Sequence, residues 1–187
     1  MKSNFLSIYI KLFILCISLS HWDLASATDI GKEPCHKASL RLLVTRDECA
    51  MMHNYNSEVL SFAVRISDMK IIKEDQLQED HMTVRIIPNR STAVEFIDVR
   101  WSEPVSVGNG RKKYEVRDRT IYEFTAKDGE TVYVRQGLNT WQGDKIYEGN
   151  LEVNFQFEKG RNDFELIDDR LTALFHYMEL RSEQEQP

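Results

Sequence analysis

The chain has 187 residues, 42% hydrophobic and 29% charged, and its 30 acidic against 24 basic residues give a formal net charge of −6. That balance argues against nucleic acid and anionic membrane surfaces as partners. There is no internal repeat of fixed period and no low-complexity tract.

Met1 and Lys2 lead into an apolar run over residues 12–19, followed by Ala25-Ser26-Ala27. A basic start, an apolar stretch of about 7–15 residues and small side chains at the cut are the pattern of a cleaved secretory signal peptide. Residues 1–27 are read as that leader, and the small-residue site favours bacterial export to the periplasm or extracellular space. Leu15 stands where a small residue should precede a lipidated cysteine, so Cys16 is not expected to carry a lipid. Cleavage removes Lys2, Lys11 and Asp23 and takes the net charge from −6 to −7. No later segment has the run of about 18 apolar residues that a membrane helix needs, so no stable membrane insertion is expected.

The mature chain suits one β-rich domain over residues 28–181. Residues 28–37, with Gly31 and Pro34, predict an irregular arm tied down at Cys35. Removal of Cys16 leaves Cys35 and Cys49, and an oxidising compartment lets them pair. A strand is predicted over residues 40–44. Thr45 and Glu48 then have capping-box spacing, with Asp47 and Glu48 placed for the positive end of a short helix reaching Met52 or Tyr55.

From Ser57 the period becomes two. Leu60, Phe62, Val64 and Ile66 predict a strand. A charged connection over residues 70–80 has one extended piece at Ile71-Ile72. Met82, Val84 and Ile86 mark a strand that Pro88-Asn89 ends, and residues 93–101 resume with Ile97, Val99 and Trp101 on one face. Glu103-Pro104 and Gly108-Asn109-Gly110 bracket a loop before the basic cluster Arg111-Lys112-Lys113, read as a solvated turn or strand end.

Asp128-Gly129 predicts a two-residue type I′ hairpin loop. Its register opposes Lys127 to Glu130, Phe124 to Tyr133 and Tyr122 to Arg135, which collects Tyr122, Phe124, Tyr133 and Arg135 on one face. A second loop over residues 137–144 surrounds Trp141, and residues 145–158 are extended with a turn at Gly149-Asn150. Leu171, Leu174, Phe175 and Met178 keep helical spacing, yet residues 170–180 are read as a final strand, because the preceding hairpins want a partner. Residues 182–187 are expected to be a disordered tail. The fold class is mainly β (α+β): an antiparallel β-sandwich or barrel of about eight strands with one short N-terminal helix.

Chemistry-bearing motifs are sparse. His36, His53, His81 and His176 have no metal-binding spacing, and a zinc set of Cys35, Cys49, His36 and His53 loses its sulfurs if the cysteines pair. Asp168-Asp169 reads as a charged turn. No nucleophile elbow and no phosphate-cradling glycine loop is present, so no catalytic residue, metal or cofactor is expected. Were the protein a hydrolase, His81, His176 and Asp168-Asp169 would be the residues to test. Asn89-Arg90-Ser91 is a glycosylation sequon on a predicted loop.

The candidate binding residues are therefore aromatic: Trp101, Trp141, Tyr122, Phe124 and Tyr133, with Arg135. They anchor a protein partner if they stand on a rim, hold an apolar ligand if they line a barrel mouth, or fill the core. The expectation is an exported domain that recognises another exported protein, as an inhibitor, immunity or accessory factor does. The alternative is a lipocalin-like carrier of a small apolar ligand, although the Gly-x-Trp signature is missing from the first strand.

Overall fold

A computed structural model of the protein describes residues 31–55, 58–74, 80–90 and 102–183. The expected leader and the strand predicted over residues 93–101 lie outside them, as does all but the start of the expected tail. The chain from Glu33 onwards forms one compact unit. Among the described residues no helix is long and apolar enough to cross a membrane.

Among the described residues the architecture is mainly β, with antiparallel sheets, few helices and no closed barrel; a sandwich-like arrangement is compatible with it. A three-stranded sheet has the order β1 (Lys32–Lys37), β2 (Leu40–Thr45), β13 (Arg181–Ser182). A ten-stranded sheet begins with β3 (His53–Tyr55), β4 (Val59–Arg65), β6 (His81–Pro88) and β12 (Leu151–Glu158). It continues through β11 (Thr140–Tyr147), β10 (Thr131–Gln136), β9 (Arg119–Thr125), β8 (Lys112–Val116) and β7 (Val105–Ser106), while β5 (Lys70–Ile72) pairs with β4. The described strands exceed the eight or so expected because short pieces such as β3, β7 and β13 carry too few residues to show a period, whereas β5 is the extended piece read at Ile71-Ile72.

Among the described residues two helices accompany the sheets. Helix α1 (Arg46–Met51) starts as its capping box predicts: Thr45 Oγ1 accepts from Glu48 N and Glu48 Oε2 accepts from Thr45 N. Helix α2 (Phe164–Tyr177) corrects the strand taken over residues 170–180. The spacing of Phe164, Ile167, Leu171, Leu174 and Phe175 decides it, because all five side chains are buried on one helical face. The hairpins need no further strand, since they pair in sequence from β8 to β12. Phe164 packs edge-on to Trp141 and Phe175 edge-on to Tyr147, so α2 covers one face of the ten-stranded sheet. Leu43 N donates to Met178 O, which joins the end of α2 to the small sheet.

Three local readings are corrected. The irregular arm is strand β1 from Lys32 onwards, and the loop placed around Trp141 is strand β11. The hairpin loop has three residues: Gly129 N donates to Ala126 O, Ala126 N donates to Glu130 O, and Gly129 takes φ +88°. This is a tight turn followed by a glycine bulge, and it moves the register by one. Phe124 faces Val132, Tyr122 faces Val134, Tyr133 faces Glu123 and Arg135 faces Ile121. A one-residue slip sends the second strand's side chains to the other side. Tyr122 and Phe124 therefore lie on the helix side of the sheet, and Tyr133 and Arg135 on the opposite side.

Gly143 marks a close approach within β11. It opposes Phe155, and a Cβ built on it would meet Phe155 Cζ at 2.1 Å. Phe155 is 2% exposed and packed in the hydrophobic core. Gly143→Ala should cost about 1–3 kcal/mol by overpacking, and Phe155→Leu should recover part of the loss. Urea unfolding of the single and double variants checks this; a single variant within about 0.5 kcal/mol of the parent would show that the ring moves freely.

Candidate functional site

The two faces of the ten-stranded sheet differ in chemistry. On β11, Trp141, Gly143, Lys145 and Tyr147 point towards α2, and Thr140, Gln142 and Asp144 point away. The alternation on β12 matches it: Phe155 and Phe157 face the helix, while Asn154 and Gln156 face away. Together with His81, Thr83 and Arg85 from β6 and Arg135 from β10, these outward polar groups line a cavity of about 250 Å³.

Asp144 is the unusual member. It is only 4% exposed. Asn154 Nδ2 donates to Asp144 Oδ1 at 2.7 Å and to Glu152 Oε1 at 3.2 Å, so one carboxamide bridges two carboxylates. Arg90 donates to the other Glu152 oxygen at 3.0 Å. Asp144 Oδ2 is buried with no hydrogen-bond partner. Burial pushes the Asp144 carboxyl up to about 6, with Glu152 adding to the rise and Arg135 and the Asn154 hydrogen bond opposing it.

A pH dependence follows. The folded state holds the Asp144 proton up to about pH 6, whereas the unfolded chain releases it near its ordinary 3.8. Between those values the native state binds more protons, so this group lowers stability as pH rises through the window, and the cost is constant above it. Asp144→Asn should therefore be more stable than the parent at pH 7.5, by about 1–2 kcal/mol, and nearly equal to it at pH 4. Urea denaturation at both pH values is the measurement; an equal difference at both would remove Asp144 as the cause.

The candidate binding residues divide between the faces. Trp141 is 6% exposed, stands 5.7 Å from Tyr122 and 5.1 Å from Phe164 between ring centroids, and donates from Nε1 to Lys159 O at 3.1 Å. Phe124 is buried in the same core, and Tyr122 is half-buried against it. Arg135 lines the polar cavity, and Tyr133 lies directly opposite Asp144 on the neighbouring strand. Trp101 lies outside the described residues. The single aromatic face expected on the β9–β10 hairpin is thus not assembled.

A second polar centre lies on the helix side and was missed by sequence reasoning. The Lys145 side chain is completely buried and Asp168 is 1% exposed. Lys145 Nζ is 2.7 Å from Asp128 Oδ2, 3.1 Å and 3.2 Å from the two Asp168 oxygens, and 3.0 Å from Thr172 Oγ1. Asp168, read as part of a charged turn, is in fact on the buried face of α2, one turn after Phe164 and one before Leu171. Granting the helix makes that position visible. Asp169, on another face, pairs with Lys127.

The possible hydrolase residues are not brought together. His81 lines the polar cavity, whereas His176 hydrogen-bonds Tyr147 at 3.2 Å on the helix side, near Asp168. The basic cluster is taken up by ion pairs: Arg111 with Glu165, Lys112 with Glu123, and Lys113 with Glu115. Arg111 also lies 5.0 Å above the Phe164 ring. Cys35 and Cys49 form a disulfide, which takes the sulfurs from the zinc arrangement. Comparison with known proteins finds no matching family model, curated protein or solved structure.

Proposed function

We propose that this is an exported domain that works by binding another exported protein, with the polar face of the ten-stranded sheet as its recognition surface. The observation that carries the reading is the buried Asp144 oxygen without a partner inside a polar cavity. A buried acceptor left unsatisfied costs about 1–3 kcal/mol, and a donor brought by a partner removes that cost. The disulfide suits a non-reducing compartment, in keeping with the leader pattern of residues 1–27. A net charge of −7 after cleavage steers a basic partner towards the domain.

The carrier alternative draws less support. An apolar ligand would need space on the helix side of the sheet, where Phe155, Phe157, Phe164 and Phe175 are at most 2% exposed. Phe155 and Phe157 also line the cavity beside the sheet's polar face, but amides, hydroxyls, guanidinium groups and the carboxylates of Asp144 and Glu158 make up most of its lining, which suits a ligand with its own donors and acceptors.

Native mass spectrometry of the protein purified gently from its host's exported fraction tests the proposal. A retained polypeptide is expected, and Gln142→Arg with Gln156→Arg should weaken its binding at least about 10-fold with an unchanged melting temperature. A retained small molecule of a few hundred daltons, or a polypeptide held equally well by the double variant, would overturn it.

A further inference from the structure

We propose that Lys145 and Asp168 become joined by an intramolecular amide bond, Lys145 Nζ to Asp168 Cγ, formed by the folded protein itself. The inference does not depend on the binding proposal. It rests on how the amine is held. Nζ is within 3.1 Å and 3.2 Å of the two Asp168 oxygens, nearly equidistant. Oδ1 nevertheless has no hydrogen-bond partner, so its approach to Nζ falls outside the angles of a hydrogen bond. An ordinary ion pair aligns its N–H groups with the oxygens. Here, of the two Asp168 oxygens, Nζ donates to Oδ2 alone, and Oδ1, within contact of the same amine, is left unsatisfied.

The surroundings favour condensation over a lasting ion pair. Both side chains are excluded from water, where holding a pair of full charges is costly. Burial pushes the Asp168 carboxyl up to about 6, with Asp128 and Asp169 adding to the rise and Lys145 opposing it. Asp128 Oδ2 and Thr172 Oγ1 hold the same nitrogen at 2.7 Å and 3.0 Å, keeping it beside the Asp168 carboxyl.

The step balances without any co-reactant. Asp128 takes a proton from the ammonium, and the freed lone pair attacks Cγ of protonated Asp168, forming the C–N bond. In the tetrahedral intermediate the nitrogen's surplus proton passes to the hydroxyl oxygen, which leaves as water as the C–O bond breaks, while Asp128 keeps the ammonium's proton and releases it to solvent. One water leaves, and nothing is oxidised or reduced. Asp128 is 24% exposed and borders a depression with Asp168, Thr172 and His176, which gives that water a route out. The product is a neutral amide tying β11 to α2.

The experiment is intact-mass spectrometry of the folded, mature protein after denaturation and disulfide reduction, followed by tandem spectrometry of a tryptic digest. The expected mass is about 18 Da below that of the reduced sequence, with a branched peptide joining the Lys145 and Asp168 segments. Lys145→Arg and Asp168→Ala should each restore the full mass. Full mass in the parent protein, with trypsin cleaving after Lys145, would overturn the proposal. So would a loss of water confined to Asp128-Gly129 as a cyclic imide, a pair that dehydrates without any help from Lys145.

Discussion

Replacing Trp141 with alanine should lower stability by about 3–5 kcal/mol, the usual range for removing a large buried aromatic side chain. Three losses combine. The indole fills the space between β11 and the start of α2, where it touches the rings of Tyr122 and Phe164. Its N–H satisfies Lys159 O at the end of β12, an acceptor that alanine leaves without that donor. Phe164 also carries the Arg111 guanidinium, itself paired with Glu165, so loosening that ring weakens the link between the start of α2 and the chain before β8. The melting temperature should fall by on the order of 10 °C. Trp141→Phe keeps most of the packing and should lose about 1–2 kcal/mol. Thermal unfolding followed by circular dichroism measures both. A Trp141→Ala loss below about 1 kcal/mol would show that the ring is not part of the core, and would return it to the candidates for partner contact. A partner bound on the polar face should feel this substitution only through the fold, because Trp141 points to the other side of the sheet.

How much of this could be read in advance depended on how local each signal was. The capping box at Thr45 and Glu48 needs four residues and no tertiary context, and the alternation of Leu151, Val153, Phe155 and Phe157 reports a buried strand face directly. The β9–β10 register is different. Asp128-Gly129 supplies a positive φ in a two-residue loop and in a three-residue loop alike, so the dipeptide locates the hairpin without saying which residues oppose each other. One residue of ambiguity was enough to place Tyr133 and Arg135 on the wrong face. Trp141 was drawn into a loop by Gly137 and Gly143, yet Gly143 is in mid-strand because the Phe155 ring covers it. The two polar centres were the least legible. A charged residue is ordinarily exposed, and only pairing or tertiary packing makes Lys145, Asp168 and Asp144 exceptions. Lys145 lies at an inward position of β11 and Asp168 at an inward position of α2; each is informative only beside the other. Asp144 needed the β12 partner strand, since its neighbours Asn154 and Glu152 are ten and eight residues away.

Loss of the Cys35–Cys49 bridge should cost about 3 kcal/mol, by reduction or by replacing both cysteines with serine. The bridge spans 14 positions, a loop whose closure in the unfolded chain carries about that free energy in the chain-entropy model. What it holds is unevenly supported otherwise. Strand β2 pairs with β13 and accepts a further tie where Leu43 N meets Met178 O, so it stays docked without the bridge. Strand β1 and helix α1 rely more on it: α1 has no fully buried residue, and its far end is held by Lys37 Nζ donating to Met52 O at 2.7 Å. Hydrogen exchange should therefore accelerate over residues 32–37 and 46–51 far more than in β11 and β12, while the urea midpoint of the whole domain moves down. If the reduced protein unfolds at the same urea concentration as the oxidised one, the fold already closes this loop unaided. The outcome bears on where the protein works. A domain of this size has about 5–15 kcal/mol of net stability, so a margin of about 3 kcal/mol held in one covalent bond is kept only where thiols stay oxidised. Strong dependence on the bridge would tie the fold to an oxidising compartment by an argument independent of the leader.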